Sequence, residues 1–306
     1  MTRKVTNRKT AEQRRAQAEA LQQQITDQVE NLRDSDAWED FLNFAQHFHS
    51  YSLNNLLLIF GQNPNASAVA GFRKWQELNR QVRKGEKALK IFGYGEKKMT
   101  EDEIKEAEAK NIEMKRNRKG EPVKIYFPML SVFDISQTDL IEPTQPDPSN
   151  LAQQLTGEDT KGIADAAKGD ITGQGWTVTT EHITTGANGY TTTDGTKQIV
   201  IHDDLSPAQT AKTMIHEVAH AIMHADITYA DYIAHRGIRE TEAESVAYIV
   251  AGTLGLDTSA YSVGYVAQWS ECDTELIKAT AERVIKASHQ IIDAITEDEQ
   301  HDKQAA

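Results

Sequence analysis

Met214-Ile215-His216-Glu217-Val218-Ala219-His220-Ala221-Ile222-Met223-His224 carries the pattern His-Glu-x-x-His, on what its spacing predicts to be a buried helix. Residues four apart in an α-helix lie one turn above each other, so His216 and His220 project from one face. Two imidazoles so placed can fill two corners of a tetrahedral zinc, leaving room for a third protein ligand and a water. Glu217, adjacent to the first ligand, stands where a general base would take that water's proton. Ser206-Pro207 offers an N-cap followed by proline at the first helical position. Ala211, Met214, Ile215, Val218, Ala219, Ile222 and Met223 then make an apolar helical face. Buried polar groups need partners. One zinc ion per chain is the partner expected for this helix.

The third ligand should lie downstream. Arg239 to Val250 reads as a second buried helix with Glu240, Glu242 and Glu244 at its start. Glu240 and Glu244 share a face, whereas Glu242 points to the other side and is expected to meet solvent. Glu240 is the expected ligand, twenty residues after His220, a separation familiar from zinc peptidases. Glu244 then orients a ligating imidazole, although these two roles can be exchanged. The chemistry expected is metal-assisted hydrolysis of a peptide bond with Glu217 as the base. Tyr265 is a candidate oxyanion donor, with plain packing as its other role.

Composition bounds the reading. A chain of 306 residues suits two domains, and 39% hydrophobic content can build their cores. The one cysteine, Cys272, excludes a disulfide framework and any Cys-based zinc site, so a metal must use His and carboxylate. No apolar run reaches membrane-spanning length, and the N-terminal residues lack a signal-peptide core. A cytoplasmic location with no membrane partner is the expectation. The net charge of −13 is unevenly spread. Residues 1–130 hold 23 Lys+Arg against 18 Asp+Glu, and the remainder holds 10 against 28. That asymmetry suggests a different partner for each half.

In chain order, a polar helix over about 8–33 precedes two apolar helices, one capped at Asp34-Ser35-Asp36 and one running from Tyr51 to Gln62. Residues 71–98 then hold nine Lys+Arg against three Glu, interleaved with Phe72, Trp75, Phe92 and Tyr94. Cations that track phosphates, alternating with rings that stack on bases, suit single-stranded nucleic acid. Phe72, Arg73, Lys74, Trp75, Arg80, Arg83, Lys84, Lys87 and Lys90 are the candidate DNA contacts. Residues 95–121 are so charged that a mobile loop or an exposed helical excursion is expected. Strand structure returns at Pro122–Asp134. Three prolines between Pro143 and Pro148 mark a stiff linker. Short strands with Asn188-Gly189 and Asp194-Gly195 turns lead into the His-Glu-x-x-His helix. The fold class is therefore α+β, divided as 1–35 (polar helix), 36–142 (nucleic-acid domain), 143–149 (linker) and 150–306 (metal domain).

Several motifs together resemble a family. Tyr51-Ser52-x-x-Asn55, Gly71-Phe72-x-x-Trp75, Arg80-x-Val82-x-Lys84-Gly85-Glu86-Lys87 and Val132-Phe133-Asp134-Ile135-Ser136-Gln137-Thr138 precede His216-Glu217-Val218-Ala219-His220-x3-His224 with Glu240-x3-Glu244. The set is similar to ArdC-type antirestriction proteins. The resemblance implies an N-terminal single-stranded-DNA-binding domain joined to a zincin-like metallopeptidase domain of the ImmA/IrrE kind, carried on a mobile element such as a plasmid. His224 recurs in that pattern and is expected to pack rather than to ligate, since a fourth protein ligand would close the open coordination position. Two functions follow from the resemblance. In one, a metallopeptidase cleaves a repressor or defence protein. In the other, a single-stranded-DNA escort carries a purely structural metal.

Overall fold

A computed structural model describes residues 11–48, 50–141, 159, 162–227, 235–256 and 273–305. The linker, Tyr265 and Cys272 lie outside the described residues. Spatial contacts divide the chain into two compact units. One comprises Met1–Gln24 and Val69–Gln145, the other Ile25–Ala68 and Pro146–Ala306. The residues 25–68 therefore group with the C-terminal half, whereas the linear division above assigns most of them to the nucleic-acid domain.

Helix α1 (Ala11–Asn31) follows its thin apolar stripe, with Leu21, Ile25 and Val29 buried. Helix α2 (Ser35–Ala45) starts where Asp34 accepts the amide protons of Asp36 and Ala37. Helix α3 (Leu53–Gln62) buries Leu56, Leu57, Leu58 and Ile59.

The first unit is built on short antiparallel pairings. Strand β1 (Val69–Ala70) leads into helix α4 (Phe72–Glu77) and strand β2 (Arg80–Val82). Next come β3 (Leu89–Phe92), β4 (Gly95–Lys98), helix α5 (Glu101–Ala109), β5 (Val123–Tyr126), β6 (Met129–Asp134) and β7 (Thr138–Leu140). β6 pairs with β1 on one side and β3 on the other, β2 pairs with β7, and β4 pairs with β5. The charged segment 95–121 is thus ordered structure, contrary to a purely mobile loop. Thr100 and Glu103 form a capping box that starts α5. Gly-Glu-Lys-Lys of β4 has no apolar alternation, and only its partner β5 makes it a strand. Two glycines permit close packing here: a Cβ on Gly93 would lie 2.6 Å from the Leu130 side chain, and one on Gly95 2.5 Å from the Tyr126 ring.

The second unit surrounds the His-Glu-x-x-His helix. Helix α6 (Ile163–Gly173) precedes β8 (Thr177–Glu181), β9 (Gly189–Thr191) and β10 (Gln198–His202). β10 is central, parallel to β8 and antiparallel to β9. Its Ile199, Val200 and Ile201 are buried. Helix α7 (Pro207–His224) follows, capped by Ser206 with proline in its first turn, and then come α8 (Arg236–Leu254) and α9 (Thr274–Ala305). α7 packs against α8, α6, β9 and β10. α2 lies against α8, where the Trp38 indole donates to Ser245 Oγ at 3.2 Å and Thr253 Oγ1 donates to the Gln46 carbonyl at 2.8 Å. Gly252 makes that approach possible, because a Cβ there would overlap the Gln46 amide. These contacts are why α2 belongs to this unit. Among the described residues no helix is long and apolar enough to cross a membrane.

Candidate metal centre

Three donor atoms from two helices converge on one point. On α7, His216 Nε2 and His220 Nε2 lie 3.1 Å apart. Glu240 Oε2, in the second turn of α8, is 3.6 Å from each. A tetrahedral ion with bonds of 2.0–2.2 Å sets its ligands about 3.3 Å apart, so the triangle has the size such an ion needs. The tautomers suit it too. His216 Nδ1 lies 2.9 Å from Glu244 Oε2, which fixes its ring proton there and turns the Nε2 lone pair inward. A second donor group, His182, His202 and Asp203, is mostly exposed. Its His202 Nδ1 already accepts the Asp204 amide proton at 3.0 Å.

Glu217 lies beside this triangle and is 5% exposed. Burial raises its carboxyl pKa above the ordinary range, against the lowering effects of His216 and of Thr191. Thr191 Oγ1, on the edge strand β9, sits 2.8 Å from Glu217 Oε2 and 2.9 Å from its backbone oxygen, with one proton to give. β9 can come this close because of Gly189. A Cβ there would lie 2.9 Å from Thr213 Cγ2 and 3.1 Å from Glu217 Cγ. Thr191 was invisible to sequence reasoning, since only the β9–β10 register brings it over α7.

Burial disfavours a charged His216, but the carboxylates of Glu240 and Glu244 outweigh it and raise the imidazole pKa to about 9. His220 is shifted down, first by burial. Without metal, one proton thus holds the place a cation would take. A metal must displace it, so apparent affinity should rise about tenfold per pH unit from neutrality and level off near pH 9. Chelator competition across that range checks this. A flat profile would contradict it.

The structure overturns the expectation for Glu242. Glu242 does not face solvent: it is 2% exposed, with Oε2 2.8 Å from His224 Nε2 and Oε1 2.8 Å from Arg283 Nε. Arg283, on α9, pairs with this carboxylate across the helix interface. Despite burial, His224 and Arg283 hold the pKa of Glu242 below its ordinary value.

Residues 15–133 match the N-terminal domain of the anti-restriction factor ArdC, and residues 172–262 match the IrrE N-terminal-like domain of the M78 peptidase class. The chain joins an ArdC N-terminal domain to an IrrE-like domain. An uncharacterized protein of Bacillus anthracis is 29% identical over 298 residues, covering 88% of this chain and 49% of its own length. The chain thus spans about half the length of that curated relative. The metal-free crystal structure of the antirestriction protein ArdC from plasmid R388 is 20% identical, with a TM-score of 0.46 over 80% of this chain and 84% of that one. The Mn(II)-bound structure of the same protein is 18% identical, with a TM-score of 0.43 over 80% and 83%.

Within the ArdC N-terminal domain the candidate DNA contacts separate. Arg73, Lys74, Lys84, Lys87 and Phe72 are exposed. Arg83 is exposed but engaged with Glu86, Asp139 and the Ser136 carbonyl. Lys90 donates to Ser131 at 2.6 Å. Trp75 and Arg80 are corrected to structural roles. The Trp75 ring is 3% exposed and its indole N–H donates to the Phe133 carbonyl at 2.8 Å. Arg80 is buried and staples β2 to β7 through Thr138 Oγ1 at 2.7 Å. Exposed rings occur instead at Tyr94, Tyr126 and Phe127, with Tyr94 and Phe127 packed edge to face. An open groove of about 870 Å³ is lined by Phe72, Val82, Arg83, Lys84 and Phe133.

Proposed function

We propose that this protein is an antirestriction factor of a mobile element that binds single-stranded DNA through its ArdC N-terminal domain. Its IrrE-like domain holds one divalent metal, zinc, and hydrolyses a peptide bond of a repressor or defence protein in the cytoplasm. The convergence of His216 Nε2, His220 Nε2 and Glu240 Oε2 beside a buried Glu217 carries the hydrolase half of this reading. When bound, the ion supplies Lewis-acid polarisation and acidifies a water molecule. Glu217 would receive that proton, at a carboxylate that burial makes more basic than an ordinary one. Thr191 keeps the Glu217 carboxylate in register by hydrogen bonding to Oε2. Glu244 keeps the His216 ring facing inward.

The DNA half is supported by the groove where exposed Phe72 meets exposed Arg83 and Lys84. The full chain should bind single strands more tightly than duplex in fluorescence anisotropy, with affinity falling steeply with salt. Each phosphate contact removed by Lys84→Ala or Lys87→Ala should reduce the log–log salt slope by about 0.7. Phe127→Ala should weaken binding at unchanged slope. Trp75→Ala should instead lower stability by about 3–5 kcal/mol. A preference for duplex would refute the DNA half.

A further inference from the structure

Where His216 has a carboxylate behind its ring, His220 has the imidazole of His224. Its Nδ1 lies 3.0 Å from His224 Nδ1. His224 Nε2 lies 2.8 Å from Glu242 Oε2, and Glu242 Oε1 accepts from Arg283, which also donates to Thr280 Oγ1 at 3.0 Å. Three members of this chain are buried: His220 at 7%, His224 at 3% and Glu242 at 2% exposure. We infer that His224 and Glu242 are positioning residues that aim the His220 lone pair at the metal point, by a hydrogen-bonded relay running through α7, α8 and α9.

The proton order follows from the connectivity. A ligating His220 presents its Nε2 lone pair, so its one ring proton is on Nδ1 and donates to His224 Nδ1. His224 accepts there, so its proton is on Nε2 and donates to Glu242. Glu242 must then accept through both oxygens, and the guanidinium supplies the donor on its far side. Every link allows one tautomer, and each ring is held in a single orientation. An imidazole is a weaker acceptor than a carboxylate. Placing a carboxylate behind it transmits the orienting bond one residue further. A packing role alone would be met by an apolar residue at 224. It would leave the buried Glu242, opposite on α8, without its second donor.

This inference rests on the metal reading, and the test separates the two. Full-length protein, stripped and titrated with Zn²⁺ against a chromophoric chelator, should bind one ion. His224→Phe and Glu242→Gln, folded by circular dichroism, should bind it about 10–100-fold more weakly. Their Co²⁺-loaded forms should show altered d–d bands, a signature that a purely structural role would not move. Folded variants within about 3-fold of wild type, with unchanged bands, would overturn the relay while leaving the metal reading intact. No binding by wild type would overturn both. Should His224→Phe fail to fold, the isosteric Glu242→Gln decides.

Discussion

Glu217→Gln is expected to lose roughly 10²–10⁴-fold in turnover of a fluorescence-quenched peptide library while still binding metal as wild type does. The amide keeps the shape of the carboxylate, and its oxygen can still accept from Thr191 Oγ1. It cannot receive a proton. Because Glu217 is not among the three converging donors, the metal site should stay whole. A variant that retains turnover would remove Glu217 from the chemistry. The same variant separates the two functions in cells. If Glu217→Gln no longer protects entering DNA, protection depends on hydrolysis, whereas full protection by Glu217→Gln would make the protein a DNA escort with a structural metal.

Glu240→Ala is expected to weaken metal binding more than any substitution behind the ligands does. The loss should exceed the 10–100-fold typical of outer partners, reaching on the order of 10³-fold. The Glu240 side chain is 40% exposed, so its removal should leave the fold intact and isolate the effect on the metal. Glu244→Ala should fall in the outer range, since it removes the acceptor at His216 Nδ1 and no ligand. Chelator competition on the two variants reads this order directly. Equal affinities would contradict the choice of Glu240.

The phase of α7 was legible because an i, i+4 pair of histidines with intervening apolar residues admits one arrangement on a helix. Helical phase likewise separated Glu240 and Glu244 from Glu242. It misjudged what lies opposite Glu242, because Arg283 is 41 residues away and no local pattern announces that pairing. His224 was read as a packing residue. It is buried, yet both its ring nitrogens face polar atoms, a fact that depends on α8. In the ArdC N-terminal domain, interleaved rings and cations gave the character of the segment but not its faces. Trp75 turns inward, while Tyr126 at the end of β5 and Phe127 just after it stay exposed. The placement of α2 with the second unit was also beyond local reading, since its apolar face does not name the helix it will cover.

The most direct test of the central claim is metal content by elemental analysis, compared between wild-type protein and His216→Ala/His220→Ala. One divalent ion per chain in the wild type, and none in the double variant, is the result expected of a site built from these two imidazoles and Glu240. Full metal occupancy in the folded double variant would contradict it.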